Sequence, residues 1–208
     1  MPDALAKILP EDSFVRMDES SDVEFYREPR FVAHIDDATI EALTEFYRTF
    51  IPDNADVLDL MSSWISHLPP EKPYGRVAGL GMNEAELAAN GQLSDYHVHD
   101  LNADPVLPYP DDVFDRVAIA VSIQYLIKPV DVLKSAGATL RAGGQICIAM
   151  SHRLFPTKAI LAFHRLPPTD RIRLVSTYLE LAGYHDVHFI DQSPADADPL
   201  WLVVGTQP

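Results

Sequence analysis

The sequence contains few glycines, a single cysteine and about half as many basic as acidic side chains. Its 9 glycines among 208 residues are too few for a fibrous or glycine-rich repetitive chain. One cysteine cannot form an intrachain disulfide, and Cys147 lies in the apolar run 146–150, which predicts a small buried side chain in a reducing compartment. No run approaches the roughly 18 apolar residues of a membrane span, and residues 1–24 lack a secretory signal pattern. We therefore expect a cytoplasmic protein that does not enter membranes.

The excess of acidic side chains limits the classes of partner. The 31 acidic and 16 basic residues give a formal net charge of -15, which repels phosphate backbones and anionic lipid heads. We therefore expect no nucleic-acid partner. Hydrophobic residues make up 47% of the chain, which predicts a globular domain with a sizeable core.

Strand and helix patterns alternate through the middle of the chain. Short apolar runs predict strands at 56–60, 76–81, 96–100, 115–122 and 145–150. Asn83 and Glu86 form a capping box that begins a helix, and Pro129 begins another helix, which Gly143 and Gly144 are expected to close. This alternation requires right-handed crossovers and therefore a largely parallel sheet that is covered on both faces.

The tail of the chain breaks this alternation. A predicted helix over about 169–182, ended by Gly183, is followed by strands at 186–191 and 200–205 with no helix between them. The short polar loop between these strands permits only an antiparallel hairpin. The sequence therefore predicts an α/β, doubly wound, Rossmann-like sheet of seven strands, mostly parallel with an antiparallel last strand. Residues 1–51 are interpreted as an N-terminal arm and a helix that packs on the core, with Asp36 and Asp37 able to cap that helix, and residues 52–208 as the α/β domain.

Three segments resemble the motifs of a known family. Residues 57–60, 107–115 and 140–145 resemble, in order and spacing, motifs of the class I S-adenosylmethionine-dependent methyltransferases. The resemblance extends over about residues 52–206, and residues 62–67 further resemble a divergent methyltransferase-like branch with a degenerate glycine loop. It implies S-adenosyl-L-methionine as the cofactor and a small molecule as the methyl acceptor.

The resemblance also implies which residues hold the cofactor, at the ends of four strands. After the first strand Met61 stands where the family has a glycine. Serine hydroxyls are therefore expected to donate hydrogen bonds to the cofactor in place of the glycine backbone. They are also expected to cap a short helix that ends before Pro69. After the second strand Gly81 replaces the family's ribose-binding acid, and after the third Asp100 and Leu101 match the pair that reads adenine. The full set is Asp59, Ser62, Ser63, Trp64, Gly81, Met82, Asn83, Asp100, Leu101, Ser122 and Tyr125.

The sequence indicates catalytic and acceptor-binding residues less specifically than it indicates cofactor-binding residues. Methyl transfer needs an aligned acceptor and, where the acceptor carries a proton, a base. His34, His67 and His152 are the candidate bases on the expected rim, and the sequence does not single out one of them. Further side chains are candidates for contact with an anionic acceptor, with a solvated surface position as their default: Tyr26, Arg30, Arg153 and Lys158.

Other kinds of site fit the sequence less well. His97 and His99 lie on one face of a predicted strand, but no further ligands follow at the spacing of a catalytic metal site, so no metal is expected. A dinucleotide-binding turn would begin at Gly79, but Glu84 stands where its third glycine belongs. Two functions remain: a methyltransferase, and a methyltransferase-like binding or interaction protein that has lost cofactor binding. The sequence does not indicate an oligomeric state.

Overall fold

A computed structural model of the protein describes residues 9–10 and 12–207. Its strands are β1 (Asp56–Ser62), β2 (Arg76–Gly81), β3 (Asp95–Val98), β4 (Phe114–Ala120), β5 (Leu140–Met150), β6 (His185–Asp191) and β7 (Trp201–Thr206). Its helices are α1 (Asp22–Phe25), α2 (Asp37–Phe50), α3 (Glu84–Ala89), α4 (Pro129–Thr139), α5 (Leu161–Arg165) and α6 (Pro168–Ala182), with a 3-10 turn at Ile123–Tyr125. Among the described residues, no helix combines the length and the apolar character that crossing a bilayer requires.

The strands form one seven-stranded sheet in the order β3-β2-β1-β4-β5-β7-β6. The pairs among β1 to β5 are parallel, whereas β7 runs antiparallel to both β5 and β6. The predicted doubly wound α/β fold with a reversed last strand is therefore confirmed. The chain order reverses between β1 and β4, and the carboxyl ends of the parallel strands meet at one edge there.

Two hydrophobic cores cover the two faces of the sheet. Successive side chains of a strand point to opposite faces, so Leu58 packs in one core with Leu133 of α4 and Val57 packs in the other. The second core includes Leu43 and Tyr47, which lie on one face of α2 and are fully buried. Helix α2 therefore shares its core with the sheet, and the predicted division between residues 51 and 52 stays a prediction.

Local signals at the helix ends act as the sequence predicts. Asp36 accepts a hydrogen bond from Thr39 N at 2.9 Å at the start of α2, and Asn83 accepts one from Glu86 N at 3.1 Å at the start of α3. Gly183 ends α6 with φ 103°, a left-handed conformation that favours glycine. These three positions depend only on neighbouring residues, which is why sequence patterns identify them.

Two sequence predictions about helices are wrong. The described chain between β1 and β2 contains no helix, and His67 in this segment has a positive φ of 56° that is incompatible with helical geometry. Helix α4 ends at Thr139 and β5 begins at the next residue, so Gly143 and Gly144 lie inside a strand and do not close the helix.

The N-terminal arm (described residues 9–10 and 12–35) packs against the insert between β5 and α6 (residues 151–167). Leu161 N and Ala162 N donate to the carbonyl oxygens of Val15 and Ser13, each at 2.9 Å. Lys158 is fully buried between the two segments, which contradicts its default assignment to the surface. Its Nζ donates to Ser20 O at 2.6 Å, so the insert holds the arm through a buried cation.

Asp22 is the centre of a buried ion cluster that joins the arm to two other segments. Arg16 Nη1 donates to its carboxylate at 2.7 and 2.8 Å, Lys158 Nζ lies 3.2 Å from it, and Asn102 Nδ2 donates to it at 2.8 Å. Burial raises the pKa of Asp22, but the hydrogen bonds from Asn102 and Arg16 outweigh that effect and lower it. The cluster fixes the arm above the carboxyl ends of the strands.

We predict that Lys158→Ala lowers the free energy of unfolding by about 3 kcal/mol, since it removes one partner of a buried ion cluster. The matched control is Lys134→Ala on the exposed side of α4, which is expected to stay within about 0.5 kcal/mol of the unsubstituted protein. Urea unfolding of the three proteins measures both differences. An equal loss in the two variants would contradict the structural role of Lys158.

Candidate active site

A cleft lies where β1, β2, β3 and β4 end, between the edge of the sheet and the arm. It encloses about 1060 Å³ of space not occupied by atoms, counting its open mouth. The position at the reversal of strand order is where doubly wound folds bind ligands.

The structure brings most of the sequence-predicted cofactor residues together around this cleft. Its lining includes Asp59, Ser62, Ser63, Gly81, Met82, Asn83, Asp100, Leu101, Ser122 and Tyr125. Trp64 is the exception and does not line the cleft. Its indole Nε1 donates to Val32 O at 3.0 Å, and its ring lies edge to face with Phe31 at 6.2 Å, so it holds the arm.

The serine hydroxyls of the loop after β1 are used within the protein. Ser62 Oγ and Ser66 Oγ donate to Asp59 Oδ2 at 2.5 and 2.6 Å, and Ser63 Oγ donates to Glu86 Oε2 at 2.6 Å. These hydrogen bonds keep the loop in place, although it lacks the glycines that the sequence resemblance would place there. The sequence suggests that these hydroxyls donate to a ligand. In the structure they donate to Asp59 and Glu86.

Three residues with left-handed backbone conformations line the cleft. Met61, His67 and Val121 have φ angles of 63°, 56° and 49°. Each such conformation costs roughly 1–2 kcal/mol for a residue with a Cβ, and a β-branched residue such as Val121 adopts it least readily. Met61 thus keeps the backbone conformation of a glycine while adding a side chain, and the strain is concentrated at the candidate site.

The path of the loop after β1 also explains why position 81 is a glycine and not the acidic residue that the resemblance would place there. The pairing of β1 with β2 shifts register between Leu60 and Ser62, which brings Ser62 O against the end of β2. A Cβ on Gly81 would lie 2.2 Å from that oxygen, so this position cannot hold an acidic side chain. Asn83 does not replace the acid, because its Nδ2 donates to Tyr26 O at 2.8 Å and its Oδ1 caps α3.

Glu86 is a residue of the cleft that the sequence assigned only to a helix cap. Its carboxylate is buried and accepts hydrogen bonds from Arg30 N and Ser63 Oγ, each at 2.6 Å. It therefore joins the arm, α3 and the loop after β1. The capping-box spacing correctly begins the helix, but the contact with the arm is long range and gives no sequence signal.

Asp100 and Leu101 follow β3 directly, as the predicted adenine site requires. Asp100 Oδ1 accepts hydrogen bonds from Asn102 N at 3.0 Å and Ala103 N at 3.2 Å, which shape the loop. The strand ends at Val98, so Asp100 belongs to this loop and not to the predicted strand. Both Asp100 and Leu101 line the cleft, and Leu101 is buried beneath it.

The three candidate bases have different surroundings. His34 lines the cleft, and burial lowers its pKa. Its ring packs edge to face against Phe155, with the ring centroids 5.2 Å apart. His67 also lines the cleft, but burial lowers its pKa to about 4 and its Nδ1 has no partner among the described residues. His152 lies outside the cleft, with Nε2 3.1 Å from Asp198 Oδ1.

Comparison with known proteins supports the fold and not a specific activity. The sequence matches no protein-family model and no curated protein. Among solved structures, the [4+2]-cyclase SpnF has a TM-score of 0.61 and 13% identity, over 81% of this chain and 81% of that chain. An S-adenosylmethionine-dependent methyltransferase from Mesorhizobium loti has a TM-score of 0.58 and 16% identity, over 79% and 97%.

A third similar structure contains the cofactor. Phosphoethanolamine N-methyltransferase 2 from Haemonchus contortus, in complex with S-adenosyl-L-methionine, has a TM-score of 0.59 and 14% identity, over 81% of this chain and 52% of that chain. The fold of this chain is thus that of class I S-adenosylmethionine-dependent methyltransferases. Because the similar structures include a cyclase, the fold does not determine the reaction.

We predict that Asp59→Asn changes how stability depends on pH. Burial raises the pKa of Asp59 from 3.8 to about 6, although Ser62 and Ser66 donate to it. The stabilising contribution of this group is fully present below pH 3.8 and is lost as the pH rises through about 6. Between about pH 4.5 and 7.5 the free energy of unfolding of the unsubstituted protein should therefore fall by about 2 kcal/mol more than that of Asp59→Asn.

Urea unfolding of both proteins at the two pH values measures this change. His67 shifts stability in the opposite direction over this range, because burial lowers its pKa, but it is present in both proteins and cancels in the comparison. A stability difference that is the same at both pH values would show that Asp59 does not titrate as the buried geometry requires.

Proposed function

We propose that the protein is an S-adenosylmethionine-dependent methyltransferase that acts on a small-molecule acceptor. The observation that carries this proposal is the open cleft at the carboxyl ends of the central strands. Met61 lies on its wall, and the rest of its lining comes from the ends of β1, β2, β3 and β4 and from the arm. Asp59 and Asp100 both face this space at the positions that the family resemblance assigns to cofactor binding.

The residues around the cleft fit an adenosyl cofactor at its two ends. Asp100 and Leu101 would hold the adenine, and the segment around Asp59 would receive the other end. Ser122 Oγ is shielded from solvent, lines the cleft and has no partner among the described residues, so it is free to bond a ligand. The ribose would lack its usual acid at Gly81, which should weaken binding by about 1.5–3 kcal/mol.

The chain's own contribution to the reaction is mainly alignment. When bound, S-adenosylmethionine supplies a methyl group that is already activated, so the protein must orient the acceptor and accept a proton where the acceptor carries one. His34 suits the role of base best among the three candidate histidines. His67 is buried with a pKa of about 4, and His152 lies outside the cleft.

A second candidate function is a methyltransferase-like binding or interaction protein without a cofactor. It is favoured by the loop after β1, where Met61 has replaced the expected glycine and Ser63 is bonded to Glu86. It is also favoured by Gly81, whose contact with Ser62 O excludes a ribose-binding acid. This candidate predicts that the cleft does not bind adenosyl compounds.

Titration with S-adenosylmethionine and S-adenosylhomocysteine separates the two candidates. A bound cofactor stabilises the folded state by mass action, so the melting temperature should rise as either ligand occupies the cleft. Calorimetry on the same samples gives the dissociation constants. No thermal shift and no heat of binding at about 1 mM ligand would contradict the methyltransferase proposal.

We predict that Asp100→Asn weakens S-adenosylhomocysteine binding by about tenfold, since it removes a charged hydrogen-bond acceptor. Asparagine keeps the Oδ1 that accepts from Asn102 N and Ala103 N, so the loop should remain folded. The matched control is Asp111→Asn, an exposed carboxylate before β4 at the opposite edge of the sheet. Equal affinities in the two variants would mean that the adenine site is wrongly placed.

A further inference from the structure

The Arg30 side chain forms no ion pair with a carboxylate among the described residues. It is the one arginine or lysine among the described residues that line the cleft. Its Nη2 donates to Phe25 O at 2.8 Å, while its Nη1 is shielded from solvent and has no partner among the described residues. Its own backbone N–H donates to Glu86, so the carboxylate bonds the main chain of Arg30 and not its guanidinium.

The other cations named from the sequence are already paired. Arg153 Nε donates to Asp198 Oδ2 at 2.9 Å, outside the cleft. Lys158 Nζ lies 3.3 Å from Asp18 Oδ2 and 3.2 Å from Asp22 Oδ1. The structure therefore reduces the set of candidate anion-binding cations to Arg30.

The guanidinium of Arg30 lies among aromatic side chains of the cleft. Its Cζ lies 4.3 Å from the ring centroid of Phe25 and 5.6 Å from that of Phe155. Phe155 belongs to the insert after β5 and stacks on Tyr125, which follows β4, with ring centroids 5.8 Å apart. Asn102, in the loop that also contains Asp100, donates to Tyr125 O at 2.9 Å, so these rings adjoin the predicted adenine site.

A shielded cation without a carboxylate is costly, and stacking on aromatic rings offsets only part of that cost. A guanidinium presents donors in a planar fork that matches the two oxygens of a carboxylate or phosphate. An anionic group in this part of the cleft would satisfy the free Nη1. The aromatic side chains of Phe155 and Tyr125, both of which line the cleft, suit an apolar or aromatic body.

We propose that the cleft binds an anionic acceptor whose carboxylate or phosphate pairs with Arg30 and whose ring lies against Phe155 and Tyr125. Calling the ligand an acceptor rests on the proposed methyltransferase function, whereas the anion site itself does not. The carboxylate of the cofactor's amino-acid portion is the competing anion, and the experiment must separate it from the acceptor.

The experiment measures binding of small probes to the full chain in the presence and absence of S-adenosylhomocysteine. Benzoate and phenyl phosphate carry an anionic group on a ring, and benzamide is a neutral analogue of benzoate. We expect benzoate or phenyl phosphate to bind at least about tenfold more tightly than benzamide, because only the anions pair with the guanidinium. Preference between the two anions distinguishes a carboxylate from a phosphate site.

Two substitutions test whether Arg30 binds the anion. Arg30→Gln should lower affinity for the preferred anion by about tenfold or more, and Arg30→Lys, which keeps the charge without the fork, should lower it less. The matched control is Arg27→Gln in the same arm, whose side chain is 62% exposed and does not line the cleft. Arg27→Gln should leave all affinities unchanged, and thermal unfolding of each variant verifies that it is folded.

The outcomes separate this inference from the proposed function. Loss of anion binding in Arg30→Gln with unchanged S-adenosylhomocysteine affinity supports the acceptor site. Weaker S-adenosylhomocysteine binding with unchanged binding of 5′-methylthioadenosine, which lacks the amino-acid carboxylate, would assign Arg30 to the cofactor and overturn it. Equal binding of benzoate and benzamide, or no binding of either anion, would also overturn it. Anion binding without S-adenosylhomocysteine binding would contradict only the methyltransferase function.

Discussion

The buried carboxylate of Asp22 is the constraint on which the candidate site depends. It receives Arg16 from the arm, Lys158 from the insert and Asn102 from the loop after β3. A carboxylate without these cations would be costly to bury, and the cations without it would be equally costly, so the three segments are stable only together. The arm therefore lies across the carboxyl edge of the sheet, where it forms one wall of the cleft and presents Arg30 to its interior.

A second constraint is the path of the loop after β1, which forms another wall of the cleft. The loop after β1 follows a glycine-like path at Met61 with φ 63°, and two serine hydroxyls bonded to Asp59 hold it there. The same path brings Ser62 O against Gly81, which excludes an acid from the end of β2. A side chain at Met61 and a glycine at Gly81 therefore go together with one loop path. Asp100 and Leu101 still line the cleft, whereas the end of β2 carries no acidic side chain.

The sequence predicts those features that depend on neighbouring residues. Alternating apolar runs locate the strands, and the ends of α2, α3 and α6 follow from Asp36, Asn83 and Gly183. The burial of Lys158 and the contact of Glu86 with the arm depend on residues distant in the chain, so periodicity carries no signal for them. The site could be located at the ends of the strands, but the partners of its side chains could not be predicted.

We propose that the space between the sheet edge and the arm binds a nucleoside, and a crystal structure of the protein grown with S-adenosylhomocysteine would show the ligand in place. We expect density for the adenine beside Asp100 and Leu101, with Met61 against the ligand and the arm still held at Asp22. An empty cleft at saturating ligand, with the Met61 side chain in the place of the nucleoside, would contradict it.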